Sequence, residues 1–96
     1  MSGSEIRQLR HRMGLTLREF AEVMGVSKNT VQNWEKDRTT PGNIHHRMLV
    51  QLEERVQRQE NAKELGQFLL SLAAGVGIGA VLGTIFENLA NDENEV

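Results

Sequence analysis

Lys28, Asn29, Gln32 and Asn33 lie within six consecutive positions, with Val31 among them and Trp34 directly after. If a helix turns Val31 and Trp34 inward, its 3.6-residue period carries the other four outward together. The chemistry of that face is specific. A lysine ammonium can donate to O6 and N7 of guanine, and a carboxamide can pair bidentately with adenine. The nearby acids Glu19 and Glu22 belong to the preceding segment and stay off this face. Lys28, Asn29, Gln32 and Asn33 are therefore candidates for reading bases in double-stranded DNA.

Other chemistries lack their residues. The 96-residue chain has no cysteine, which removes disulfides, cysteine-ligated zinc and a thiol nucleophile. It has no nucleophile–base set or phosphate-cradling loop, so an enzyme is not expected. His11, His45 and His46 are the obvious metal ligands. Adjacent histidines on a helix diverge by about 100°, however, and no carboxylate cluster completes a site. Neither a metal nor a cofactor is expected.

The elements that must position these residues are all helical. Ser4 can open a first helix through Met13, with Ile6, Leu9 and Met13 at helical spacing and Gly14 as its stop. Thr16 followed three residues later by Glu19 is a capping box for a second helix. Its apolar stripe is Leu17, Phe20, Ala21 and Met24, and Gly25 ends it. Ser27 caps the third. Thr39, Thr40, Pro41 and Gly42 punctuate the chain. Asn43 can cap a fourth helix, whose inward positions are Ile44, Met48, Leu49, Leu52 and Val56. The stretch from Arg55 to Glu64 reads as a solvated helical connector. The expected class is all-α: a bundle of four to five helices followed by a C-terminal apolar helix.

Residues 6 to 41, IRQLRHRMGLTLREFAEVMGVSKNTVQNWEKDRTTP, resemble the lambda-repressor-like helix-turn-helix domain of the phage repressor and Cro type, the XRE family. The matching pieces are Ile6, Leu9-Arg10, Gly14-Leu15-Thr16, Phe20-Ala21, Gly25-Val26-Ser27, Thr30-Val31, Trp34-Glu35 and Pro41. The resemblance implies a recognition helix starting near Ser27 and symmetric dimers on paired half-sites. It also implies phosphate contacts around Thr16, Arg18, Ser27 and Arg38, and a structural ion pair between Arg10 and Glu35. The chain departs from the family at Leu17, where a DNA-gripping glutamine is common, and at Asp37, where a glycine is common. The usual fifth helix is not delimited, since Ile44 to Gln59 reads as one amphipathic run.

The charge is divided along the chain. All 11 Lys and Arg residues lie between Arg7 and Lys63. Against eight acids, this leaves residues 1–63 at +3, while residues 64–96 hold five acids and no base. A boundary is expected there, separating the helix-turn-helix domain from an apolar segment with an acidic end. Residues 65–86 carry no charge and include five glycines. As one helix they would span about 33 Å, enough to cross a hydrocarbon core of about 30 Å. Ser71, Gly75, Gly79 and Gly83 recur every fourth residue, a spacing that lets helices pack closely, as in glycine zippers. A helix apolar on all sides needs burial, and the N-terminal part looks too small to wrap it. The segment is therefore expected either to enter a membrane or to pack in an oligomer.

The leading expectation is a sequence-specific DNA-binding transcriptional regulator, a repressor, forming a homodimer or higher oligomer through the C-terminal helix. A membrane-associated oligomer whose helix-turn-helix tethers DNA or autoregulates remains open, as does an antitoxin-like protein-binding module. The expected location is the cytoplasm, with or without anchorage to the inner face of the membrane through residues 65–86.

Overall fold

The computed structural model describes residues 1–58 and 61–86, so the acidic segment at 87–96 lies outside the described residues. Within them the chain forms α1 (Gly3–Arg12), α2 (Leu17–Met24), α3 (Lys28–Glu35), α4 (Asn43–Arg58), α5 (Ala62–Gly75) and α6 (Ile78–Ile85). No strand occurs among the described residues. The all-α expectation holds.

Short polar side chains set the helix starts by satisfying N–H groups that have no partner within the helix. Ser2, and not Ser4, caps α1. Its hydroxyl accepts from the Glu5 N–H at 3.2 Å, and its own N–H donates to the Glu5 carboxylate at 2.9 Å. Ser2 wins because Glu5 lies three residues beyond it, which closes a reciprocal capping box. Donation first by the Ser2 backbone and then by its hydroxyl holds the Glu5 carboxyl below its ordinary range. Thr16 and Glu19 form the same box on α2, at 3.1 and 2.9 Å. Gly25 ends α2 at φ 72°, a left-handed conformation that costs glycine little.

One continuous apolar cluster joins all six helices. Ile6, Leu9 and Met13 meet Phe20, Val23 and Met24, then Val31 and Trp34, then Met48, Leu49, Leu52 and Val56. The fourth helix departs from expectation in its first turn. Asn43 is its first helical residue, and Ile44 is 47% exposed. His45 occupies the inward direction instead, its ring centroid 5.5 Å from that of Trp34. Neighbouring positions on a helix point about 100° apart, so Ile44 cannot share that direction.

The C-terminal segment differs most from its sequence reading. The connector does not run on as a single helix, because Asn61 caps a new one by accepting from the Glu64 N–H at 3.1 Å. The single helix expected over 65–86 is two. The N–H groups of Val76 and Gly77 both bond to the Leu72 carbonyl, at 2.8 and 2.9 Å, and Gly77 takes φ 116°. That backbone is open essentially to glycine alone. Among the described residues, no helix is long and apolar enough to cross a membrane.

One side of the apolar segment finds its cover within the chain. Leu65, Leu69, Val81 and Ile85 enter the same buried cluster as the first four helices, with α5 against α2 and α6 against α2 and α4. Residue 63 therefore does not divide the core. Folded back as a hairpin, the segment covers part of its own surface and lays one side on α2 and α4, while Phe68, Val76 and Ile78 stay exposed. The close-packed glycine is Gly66, where a Cβ would collide with the Met13 carbonyl oxygen. At Gly75, Gly79 and Gly83 a Cβ would meet nothing within 4 Å, and the break at Gly77 interrupts their expected ridge with Ser71. Phe86 closes the hairpin onto α4, its ring centroid 5.5 Å from the Arg47 guanidinium carbon.

Candidate nucleic-acid interface

The surface begins with how α3 is held. Val31 is fully buried and Trp34 is 4% exposed, so the inward stripe is the one expected from spacing. Ser27 accepts from the Thr30 N–H at 3.1 Å, and the two hydroxyls lie 2.9 Å apart. Lys28 and Asn29 stand exposed in the first turn, while Gln32 and Asn33 are half-buried one turn later. All four expected base-reading side chains retain solvent access, but the second pair sits deeper against the protein.

The far end of α3 is tied down by contacts that sequence reasoning missed. Asp37 follows the helix at φ 58°, the left-handed conformation for which a glycine is usual. Its carboxylate accepts from the Gly3 N–H at 2.9 Å. Gly3 approaches so closely that a Cβ there would strike the carbonyl oxygens of Trp34 and Glu35. The only sequence signal was an aspartate at a glycine position, and it does not name its partner.

Arg10 and Glu35, 25 residues apart, meet in two-pronged geometry. Arg10 Nε donates to Glu35 Oε2 at 2.7 Å, and a terminal guanidinium nitrogen donates to Oε1 at 3.0 Å. The other terminal nitrogen donates to the Leu15 carbonyl at 3.2 Å. The two side chains are 10% and 8% exposed. The pair locks α1 to the end of α3 and leaves neither charge for an outside ligand.

The four residues expected at phosphates lie at helix starts or in a turn. Thr16 caps α2 and Arg18 lies in its first turn, Ser27 caps α3, and Arg38 lies in the turn beyond α3; all are exposed. Helix N-termini present N–H groups and the positive end of the helix dipole, which suits an anion. The Thr16 hydroxyl accepts one bond within the protein and keeps a proton to donate, whereas the Ser27 hydroxyl accepts from the Thr30 N–H and shares a further hydrogen bond with the Thr30 hydroxyl.

Beside this face, α1, the start of α2 and the end of α3 enclose an open cleft of about 210 Å³ lined by Arg7, Arg10, Leu17, Gln32, Glu35 and Lys36. His11, His45 and His46 do not converge, and no cluster of three metal-ligating side chains occurs among the described residues.

Comparison with known proteins gives two matches. Residues 6–44 match the helix-turn-helix family model. The chain is 32% identical over 81 residues to the type II methyltransferase M1.ScrFI of Lactococcus lactis subsp. cremoris, an alignment covering 81% of this chain and 20% of that protein. The chain therefore spans about a fifth of this relative's length. No solved structure matches it.

Proposed function

Residues 6–44 belong to the DNA-binding helix-turn-helix family, and on that footing we propose that the chain is a sequence-specific transcriptional regulator acting in the cytoplasm as a repressor. It lays α3 in the major groove and contributes binding without catalysis. The observation that carries this reading is the division of α3: Val31 and Trp34 are buried while Lys28 and Asn29 are exposed in its first turn. Lys28, Asn29, Gln32 and Asn33 read bases, and Thr16, Arg18, Ser27 and Arg38 approach phosphates. The methyltransferase relative is far longer than the fifth of it that aligns, and this chain carries recognition without transfer chemistry.

The test is binding to sites selected from random duplex DNA, followed by Asn29→Ala and Gln32→Ala. Each lost bidentate contact should cost about 1–3 kcal/mol and relax preference at one position. Arg38→Ala should weaken binding to all sequences and flatten the salt dependence. Unchanged sequence preference in both α3 variants would overturn the assignment. Absence of salt-dependent DNA binding would favour a protein-binding module instead.

Self-association runs through the C-terminal hairpin in this proposal. Phe68 is 53% exposed, Val76 76% and Ile78 37%, all on or between α5 and α6. Sedimentation should show a dimer or larger species that Phe68→Ser with Val76→Ser dissociates. A wild-type monomer at micromolar concentration would exclude it.

A further inference from the structure

The cleft beside α3 contains one apolar side chain among polar ones. Its lining is Arg7, Arg10, Gln32, Glu35, Lys36 and Leu17. Arg10 and Glu35 are spent on each other, and Arg7 and Lys36 are exposed cations. The neutral groups left in the cleft are the half-buried carboxamide of Gln32 and the half-buried side chain of Leu17. Leu17 is the first residue of α2. Nothing in the capping of α2 requires leucine there, since the box is made by Thr16 and Glu19. Its inner side packs on the core, and the rest lines a cleft shared with a residue of the base-reading face.

We propose that Leu17 is a specificity-determining residue that reads the C5-methyl group of thymine, beside the base contacted by Gln32. The proposal rests on the reading of α3 as the DNA-recognition helix. The thymine methyl is the one apolar feature that a base displays in the major groove, and apolar side chains distinguish it by contact. An aliphatic group beside a carboxamide is complementary to adjacent methyl and hydrogen-bonding edges, whereas flanking cations hold the sugar–phosphate backbone near. Since 5-methylcytosine carries the same methyl, the test has to separate the two bases.

Sites are first selected from random duplex DNA with the full chain. Each thymine of the selected site is then replaced singly by deoxyuridine, and each cytosine by 5-methyldeoxycytidine. One thymine is expected to be sensitive, deoxyuridine there weakening wild-type binding about fourfold, which is what burying one methyl contributes. The Leu17→Ala variant should bind the thymine and deoxyuridine sites equally. Strengthening by 5-methyldeoxycytidine at one cytosine, with no sensitive thymine, would reassign the methyl to cytosine and overturn the thymine proposal. Insensitivity of wild type at every thymine would also overturn it, and needs no variant to fold. The same loss in wild type and Leu17→Ala would show that the methyl is read elsewhere. Failure to select any site would remove the underlying DNA reading, and this proposal with it.

Discussion

Replacing Arg10 by Met tests whether the Arg10–Glu35 pair holds α3 in place. The substitution leaves the Glu35 carboxylate, on a side chain 8% exposed, without donors reaching it at 2.7 and 3.0 Å. An exposed ion pair would contribute only about 0–1 kcal/mol. Burial changes the comparison, because a charge left alone in a buried site costs about 3–5 kcal/mol. The Leu15 carbonyl also loses the Arg10 donor, worth about 1 kcal/mol. Small domains have only about 5–15 kcal/mol of stability, so the variant should lose a large share of it. With a urea dependence of about 1–3 kcal/mol per molar, the unfolding midpoint should fall by on the order of 2 M. Glu35→Leu alone should be similarly damaging, since it strands the guanidinium. The double variant Arg10→Met/Glu35→Leu should recover to within about 1 kcal/mol of wild type, because neither charge is then stranded. Urea denaturation of the four proteins completes the cycle. Single losses below about 1 kcal/mol, or a double loss equal to the sum of the singles, would refute the reasoning.

Further outcomes follow from the hairpin and the first cap. Leu69 is fully buried, so Leu69→Ala should cost about 2–5 kcal/mol in thermal or urea unfolding; a change under 1 kcal/mol would mean that α5 is not part of the core. Gly66→Ala should destabilise by about 1–3 kcal/mol through its collision with the Met13 carbonyl. Gly79→Ala, in open space within α6, should stabilise by up to about 1 kcal/mol. Because the Glu5 carboxyl is held below its ordinary range in the folded chain, its contribution is present above the unfolded pKa and is lost as pH falls through the lower folded value. The difference in Tm between wild type and Glu5→Gln should therefore shrink on acidification, and a gap that widened in acid would contradict the Ser2–Glu5 arrangement.

The parts of the fold legible in the sequence are those set by neighbours a few residues away. The Thr16–Glu19 box, the left-handed Gly25, the Ser27 cap and the inward Val31 and Trp34 all depend on i to i+3 or i+4 relations. Hydrogen-bond geometry and helix period dictate these wherever the segment is helical. Even there, Ser2 displaced Ser4 because two serines competed and only one had a glutamate three residues on. The outward face of Lys28, Asn29, Gln32 and Asn33 was readable for the same local reason, although the deeper setting of Gln32 and Asn33 was not.

By itself, then, the sequence determined an all-helical chain, both ends of α2, the start of α3 and a polar face on α3. The tertiary structure decided what local pattern leaves open, because it depends on contacts between distant residues. An uncharged, glycine-rich run is compatible with a membrane span, an oligomer core or a folded hairpin. The choice depends on whether another surface of the chain can cover it. Here Met13 receives Gly66, Ile78 lies against the turn at Gly25, and Leu69 and Val81 complete a core begun by Ile6 and Phe20. The meeting of Gly3 with Asp37 and the cleft that collects Leu17 and Gln32 arise in the same way, from helices packed together rather than from residues adjacent along the chain.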